Sequence, residues 1–157
     1  MDLIAWRVSS AKYVRLPYDP LDGEGARGLG GRWNSPGVPM VYLSATLSLA
    51  ILEVLVNGKQ LLSLLDKVAA RLQFTDVDVT AVEPRSTGQP RPIAESQAFG
   101  NAWIAAKTSP LLRVPSVVIP QEFNYLMNPE HADFPRIRAT ATKWEPLPID
   151  RRLLETK

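Results

Sequence analysis

A single carboxylate in an apolar stretch is the residue of this sequence best suited to chemistry. Glu53 is the only charged residue between Ser44 and Asn57, in the middle of the segment ATLSLAILEVLVN. The periodicity of that segment predicts a helix over 45–57, on which Thr46 and Asn57 share the face of Glu53. Burying an unpartnered carboxylate is costly, so we expect Glu53 to accept hydrogen bonds or to pair with an arginine. Two interpretations stay open: a functional site at Glu53, or a solvated edge of the helix.

A glycine-rich segment over 17–39 is the second candidate. Its glycines at 23, 25 and 28 have the spacing G-x-G-x-x-G. That spacing indicates a dinucleotide fold only where it leaves a strand and opens a helix, whereas here it follows YDPLD and continues into GGRWNSPG. We favour an ordered loop in which Arg27 and Arg32 offer planar forks of donors to a diphosphate, with Trp33 as an anchor. The alternative is an arginine-containing surface loop rich in turns.

Ser116 and Tyr42 are weaker candidates, because each has an ordinary structural explanation. Ser116 lies in the apolar stretch LRVPSVVIP, where a serine is more often a satisfied core hydroxyl than a nucleophile. Tyr42 lies on a short strand before the Glu53 helix, where a core aromatic is the commoner case. A hydrolase triad of Ser116, His131 and Asp133 is not favoured, because no G-x-S-x-G turn surrounds the serine.

Composition excludes several classes of site. The chain has 157 residues, 45% of them apolar and 22% charged, which is typical of one globular domain, here 1–157. With no cysteine and one histidine, thiolate chemistry and histidine-rich metal sites are excluded, and we expect no metal. A formal charge of +2, without basic residues clustered among aromatics, does not favour nucleic acid. Neither a bilayer-spanning apolar run nor a signal peptide is recognisable, so we expect a cytoplasmic protein.

The elements that must position these residues follow a β-loop-β-α-β-α-β-β-β order. We expect strands over 3–8, 40–44, 68–74, 112–119, 123–127 and 136–144, and helices over 45–57, 60–66 and 94–107. The 45–57 helix is apolar almost all round and should be buried on most sides. Strands cluster late instead of alternating with helices, which predicts an α+β fold. We expect Ser44 to cap the 45–57 helix, and Asn124 and Asn128 to serve turns.

Six segments, taken in order, resemble the successive blocks of the RES domain, a family named for an arginine, a glutamate and a serine. They are WRV at 6–8, GEGARGLGGRWN at 23–34, VYLS at 41–44, LAILEVLVN at 49–57, RVPSVVIP at 113–120 and NYLMNPEH at 124–131. Their common order over residues 6–131 makes the resemblance specific. The GGRWN run and the helix bearing Glu53 are its strongest parts.

The resemblance implies an ADP-ribosyltransferase-like fold, with mixed, mostly antiparallel sheets and flanking helices. It also implies the toxin of a type II toxin–antitoxin pair, with an Xre-type helix-turn-helix antitoxin; a toxin homodimer is common in such assemblies. RES toxins use NAD⁺ as a substrate and no prosthetic group. They cleave its nicotinamide–ribose bond by hydrolysis or phosphorolysis, or they transfer ADP-ribose to a protein. A different class, a non-catalytic nucleotide-binding or interaction module, stays open.

Carried over by position, the resemblance assigns the name-giving residues to Arg32, Glu53 and Ser116, which we predict to be catalytic. Arg7 and Tyr42 match further family positions. The residues that we expect to bind the dinucleotide are Arg7, Arg32, Asn34 and Tyr42.

The residues fit this chemistry on independent grounds. Nicotinamide leaves NAD⁺ as a neutral molecule, so its departure needs no general acid. The reaction does need stabilisation of an oxocarbenium-like ribose, which Glu53 would supply. Arg32 and Arg7 would hold the diphosphate, and Tyr42 would pack on the nicotinamide ring. Ser116 would either donate a hydrogen bond to the ligand or orient Glu53.

Overall fold

A seven-stranded sheet runs through the part of the chain that the computed structural model describes, residues 2–58 and 60–155. Its strands are β1 (Leu3–Ser10), β2 (Val41–Ser44), β3 (Lys67–Phe74), β4 (Val79–Ala81), β5 (Leu111–Pro115), β6 (Phe123–Met127) and β7 (Glu145–Pro146). The helices are α1 (Glu24–Leu29), α2 (Leu47–Gly58), α3 (Ile93–Ala106) and α4 (Phe134–Arg138). Short 3₁₀ turns cover Ala11–Val14, Leu61–Asp66 and Arg151–Leu153. None of these helices combines the length and apolarity that a bilayer crossing requires.

The order across the sheet is β4-β5-β6-β2-β1-β3-β7. Every pairing is antiparallel except that of β4 with β5. The α+β prediction, with a mostly antiparallel arrangement, is therefore confirmed. Strands β1 and β2 meet at one residue pair, Trp6 with Ser44, whereas β1 pairs with β3 along all eight of its residues. The sheet thus consists of a β6 half (β4-β5-β6-β2) and a β3 half (β1-β3-β7), joined at Trp6 and Ser44.

Helix α2 follows β2 in the chain and packs on the β3 half. Its Ala50 is buried together with Val8 of β1 and Ala69 of β3, and Ile51 and Val54 of α2 pack against the same cluster. Burial of these apolar side chains stabilises the position of the helix. Glu53 is on the same helix, next to Val54, and its side chain reaches Ser116 and Asn124 of the β6 half.

The prediction that this helix is buried on most sides is wrong. Only Leu49 and Ala50 of α2 are buried, and Leu52 and Val56 are 38% and 55% exposed. The helix lies against the sheet with one face, so its apolar composition overstates its burial. Its start also differs from the prediction, because Thr46 and not Ser44 accepts a hydrogen bond from a first-turn amide, that of Leu49.

The predicted strand over 136–144 is also wrong. Pro135 lies in the first turn of α4, where its fixed φ favours a helix. After α4 the chain runs beside β3, but side chains replace part of the ladder. The amides of Arg71 and Gln73 donate to the hydroxyls of Thr142 and Thr140. A regular strand forms only at β7.

Other boundaries agree within a few residues. Strand β6 has the predicted bounds, β1 and β3 are slightly longer than predicted, and β5 ends at Pro115 instead of continuing to 119. The helical stretch over 60–66 is a 3₁₀ turn, and the three-residue strand β4 lies in a region for which we predicted no element.

Helix α1 lies inside the 17–39 segment, so G-x-G-x-x-G does open a short helix. No strand precedes it directly, and the dinucleotide-fold interpretation stays rejected.

Candidate active site

The Glu53 carboxylate receives two hydrogen bonds on the same oxygen. The Ser116 hydroxyl donates to Oε1 at 2.9 Å, and the Asn124 side-chain amide donates to Oε1 at 2.7 Å. Glu53 is half-buried, and no described lysine or arginine lies within 4.0 Å of its carboxylate. Of the two expected ways to satisfy this acid, the structure contains the hydrogen bonds and not an arginine pair. Oε2 accepts no hydrogen bond from the described residues.

Ser116 lies in a tight turn that directly follows β5. Its hydroxyl oxygen accepts hydrogen bonds from the backbone amides of Val118 and Ile119, each at 3.1 Å, while its proton goes to Glu53. The side chain is 3% exposed. Both the donor and the acceptor capacity of this hydroxyl are therefore used within the fold, and its donor bond fixes the position of the Glu53 carboxylate.

Asn124 is a site residue that sequence reasoning missed. We expected it to serve a turn, but it lies within β6, directly opposite Ser44 of β2. The Ser44 hydroxyl donates to the Asn124 Oδ1 at 2.9 Å. Because that end of the amide must accept, the NH₂ end is the one turned toward Glu53. A polar residue inside the apolar strand FNYLM was the available signal.

Arg32 and Ser116 line one cavity of about 90 Å³, together with Trp33 and residues of the loop over 83–92. The Arg32 guanidinium donates to the carbonyl of Arg91 in that loop at 3.4 Å. Two of the three name-giving residues therefore share a cavity, and Glu53 is bonded to one of them. The geometry brings Arg32, Ser116 and Glu53 to one region.

Tyr42 and Asn34 hold the backbone of the GGRWN run. The Tyr42 hydroxyl donates to the Asn34 Oδ1 at 2.6 Å and accepts from the Trp33 amide at 3.1 Å. The Asn34 amide in turn donates to the carbonyls of Ala26 and Val38. Burial raises the pKa of Tyr42 to about 12, because the phenolate would be poorly solvated. Asn34 is fully buried, so its polar atoms serve the loop and do not reach the cavity.

Helix α3 supports the same run from the other side. Gln97 donates to the Gly31 carbonyl, and Asn101 pairs with Ser35 through both ends of its amide. A Cβ on Gly100 would overlap the carbonyl oxygen of Trp33, so only glycine allows this close approach. Gly100, in the interior of α3, is thus required for the packing of that helix on the loop.

Arg7 lies next to Trp6, where the two halves of the sheet join, and it does not line the cavity. Its guanidinium donates to the carbonyls of Pro20 and Tyr42, at 3.2 and 3.1 Å. Burial lowers the pKa of Arg7 from its ordinary value, and nearby Asp22 opposes that shift. Arg7 therefore fastens the 17–39 segment to β2 where β1 and β2 diverge.

The described residues contain no grouped metal ligands and no assembled serine–histidine–aspartate triad. Within residues 2–58 and 60–155, no three histidine or acidic side chains are grouped as metal ligands would be. His131 uses its Nδ1 to accept from the backbone amide of Asp133, in a turn. Since Ser116 is bonded to Glu53, the structure does not bring Ser116, His131 and Asp133 together as a triad.

Comparison with known proteins gives a family. A model described as "RES domain" matches residues 4–150. A protein named "Toxin Res" from Photorhabdus laumondii is 31% identical, over 99% of each chain. A protein named "Prs ADP-ribosylating toxin" from Sphingobium sp. is 34% identical, over 88% of this chain and 91% of the other.

A third relative is similar in sequence and in fold. The "NAD(+) phosphorylase MbcT" of Mycobacterium tuberculosis is 32% identical, over 64% of this chain and 58% of the other. The crystal structure of the M. tuberculosis MbcT–MbcA toxin–antitoxin complex contains a chain that superposes with a TM-score of 0.67. That superposition covers 94% of this chain and 85% of the other at 20% identity, and it shows a shared fold.

Proposed function

The chain belongs to the RES domain family, and from that premise we propose that it is a toxin enzyme that cleaves the nicotinamide–ribose bond of NAD⁺. The observation that carries the proposal is the pair of donors on Glu53. Ser116 and Asn124 both bond Oε1, beside a cavity that Arg32 also lines. Relatives named as an ADP-ribosylating toxin and as an NAD(+) phosphorylase support the choice of substrate.

In the proposed reaction, nicotinamide leaves when the electron pair of the C1–N bond returns to the pyridinium ring. The leaving group is then neutral, so no proton donor is required. Positive charge develops on the ribose, as in glycoside hydrolysis. A fixed carboxylate next to that charge lowers the barrier, because it is oriented before the reaction begins.

Glu53 is suited to stabilising the ribose cation because its two carboxylate oxygens have different hydrogen-bond partners. Oε1 is held by Ser116 and Asn124, whereas Oε2 has no donor among the described residues. We assign Oε2 to the ribose hydroxyls and to the developing cation. Ser116 then acts as a positioning residue, one of the two roles that the sequence left open for it.

Arg32 is the proposed contact to the diphosphate, since it lines the cavity with a charge that suits phosphate oxygens. Arg7, Asn34 and Tyr42 contribute through the backbone that they hold. Packing of the Tyr42 ring on nicotinamide stays a prediction.

Three nucleophiles can capture the ribose: water, inorganic phosphate or a protein side chain. Transfer to a protein is a second candidate function, favoured by the likeness to the Prs ADP-ribosylating toxin. Phosphorolysis is favoured by the likeness to the NAD(+) phosphorylase. Nicotinamide is released in all three, so its release tests their common step.

We further propose that an antitoxin protein restrains this activity in the cytoplasm. The similarity to proteins named Toxin Res and to the fold found in a toxin–antitoxin complex supports an antitoxin. More specifically, we propose that the antitoxin is an Xre-type helix-turn-helix protein and that this chain forms a homodimer. Light scattering on the toxin and on its co-purified complex measures both stoichiometries.

The test of the enzyme proposal is nicotinamide release from NAD⁺ by the purified full chain. Glu53→Gln keeps the shape and removes the charge, and it should lower the rate by about 100-fold or more. Glu145→Gln, an exposed change on β7, is the matched control and should leave the rate unchanged. Binding of NAD⁺ without any nicotinamide release would instead support the non-catalytic module.

A further inference from the structure

The loop over 83–92 contributes arginines to the same cavity that Ser116 lines. Arg85 and Arg91 of this loop line the cavity, as does Arg32 from the GGRWN run. One carboxylate, Glu83, also lines it, and that side chain is paired with Arg113 at 3.5 Å. Positive charge therefore exceeds negative charge around the cavity.

Ser96 of α3 also lines the cavity, and its hydroxyl has no hydrogen-bond partner among the described residues. The side chain is 1% exposed, and its Oγ makes no hydrogen bond with the described residues. A buried polar group left unbonded costs about 1–3 kcal/mol, so such groups are rare in native structures. Ser96 belongs to the cavity wall, so a small shift of its side chain would offer the unbonded hydroxyl to a molecule there.

The combination of arginines and a free hydroxyl indicates the chemistry of the ligand. Guanidinium groups bind phosphate oxygens through two parallel hydrogen bonds, and a serine hydroxyl donates to a third oxygen. The cavity, at about 90 Å³, has room for a tetrahedral anion. Among the residues that line the cavity, only Glu83 is acidic, and it already has Arg113 as its partner. The carboxylate of Glu53 lies close by, hydrogen-bonded to Ser116 of the wall.

We propose that Arg85, Arg91 and Ser96 form a binding site for a phosphate group beside the Glu53–Ser116 pair. The proposal rests on the proposed function, which it extends to residues outside the family's name-giving set. Two sources supply this chemistry: the diphosphate of the dinucleotide, or inorganic phosphate acting as the second substrate. In the second case a phosphate oxygen bonds to ribose C1, nicotinamide leaves with the C1–N electron pair, and the phosphate proton passes to solvent.

The test uses three full-length variants. Arg85→Gln/Arg91→Gln removes both loop charges, and Ser96→Ala removes the free hydroxyl. Arg151→Gln is the matched control, an exposed arginine in the last 3₁₀ turn. Nicotinamide release is measured while NAD⁺ and inorganic phosphate are varied independently, which gives a separate KM for each.

The double arginine variant should raise one of the two KM values by about tenfold or more, while Arg151→Gln leaves both unchanged. A raised KM for phosphate assigns the site to the second substrate, and a raised KM for NAD⁺ assigns it to the diphosphate. Ser96→Ala should change the same KM in the same direction without lowering the melting temperature. Unchanged KM values in the double variant would overturn the proposal.

Direct binding separates this proposal from the proposed function. Calorimetry with inorganic phosphate and with ADP-ribose needs no turnover, so it applies even if the wild-type chain releases no nicotinamide. Weaker binding of either probe to Arg85→Gln/Arg91→Gln than to wild type supports the site. Equal binding of both probes to the two proteins, or binding of neither probe to wild type, overturns it.

Discussion

The most informative perturbation of the site is the removal of the Ser44 hydroxyl, which touches no part of the cavity wall described above. Ser44 donates to Asn124 at 2.9 Å, and Asn124 donates to Glu53 at 2.7 Å. Without the hydroxyl, the amide of Asn124 is free to turn its oxygen toward the carboxylate. We therefore expect Ser44→Ala to lower activity through Asn124.

The magnitudes follow from the two kinds of hydrogen bond. The bond from Asn124 to a carboxylate is charge-assisted, worth about 1.5–3 kcal/mol, so Asn124→Ala should lower kcat by roughly 10- to 150-fold. The bond from Ser44 joins neutral groups, worth about 0.5–1.5 kcal/mol, so Ser44→Ala should lower kcat by roughly 2- to 12-fold. Because both act on charge that develops in the transition state, KM for NAD⁺ should change little.

The assay is a double-mutant cycle on nicotinamide release. If Ser44 acts only by orienting the amide, Ser44→Ala should have no further effect in the Asn124→Ala background. Ser44→Thr keeps the hydroxyl and should retain most of the activity. Ser63→Ala, a change in the Leu61–Asp66 turn, is the control for the loss of a serine hydroxyl. Equal effects of Ser44→Ala in both backgrounds would refute this reasoning.

Three further predictions follow from the same structure. Arg32→Ala should weaken NAD⁺ binding by about 2 kcal/mol, or roughly 30-fold, measured by calorimetry in the Glu53→Gln background; equal affinity would remove Arg32 from the site. Burial raises the pKa of Tyr42 from 10.0 to about 12, so the unfolded chain loses this proton at a lower pH than the folded chain does. The free energy of unfolding should therefore fall by up to about 3 kcal/mol between pH 10 and 12. Urea titrations should show a smaller fall for Tyr42→Phe, and an identical pH dependence would contradict the assignment. Gly100→Ala should lower the melting temperature by about 5 °C or more, because its methyl group would displace the Trp33 carbonyl, and a neutral effect would show that α3 and the loop separate freely.

Local sequence patterns predicted the scaffold of the site better than the site itself. The helix bearing Glu53 and the strand bearing Asn124 were both predicted from periodicity, and Glu53 was selected as a lone charge. Its partners lie 63 and 71 residues further along the chain, a distance over which local patterns carry no information. The position of Ser116 came from the family resemblance, while its hydrogen bond to Glu53 required the fold.

The errors have related physical causes. Alternating residues over 136–144 resemble a strand, but Pro135 starts a helix and the hydroxyls of Thr140 and Thr142 replace backbone pairing with β3. The apolar α2 was predicted to be buried because composition cannot tell which faces meet a neighbour. The loop over 83–92 has no periodicity, so nothing in it indicated that its arginines reach a cavity.

The single pair that joins β1 and β2 has a consequence for how the site is assembled. Glu53 stands on a helix that rests on the β3 half, while Ser116 and Asn124 belong to the β6 half. The carboxylate and its two hydrogen-bond donors are therefore held by different halves of the sheet. A small rotation of one half relative to the other about Trp6 and Ser44 would break the hydrogen bonds to Glu53. The orientation of this carboxylate therefore depends on the twist of the whole sheet.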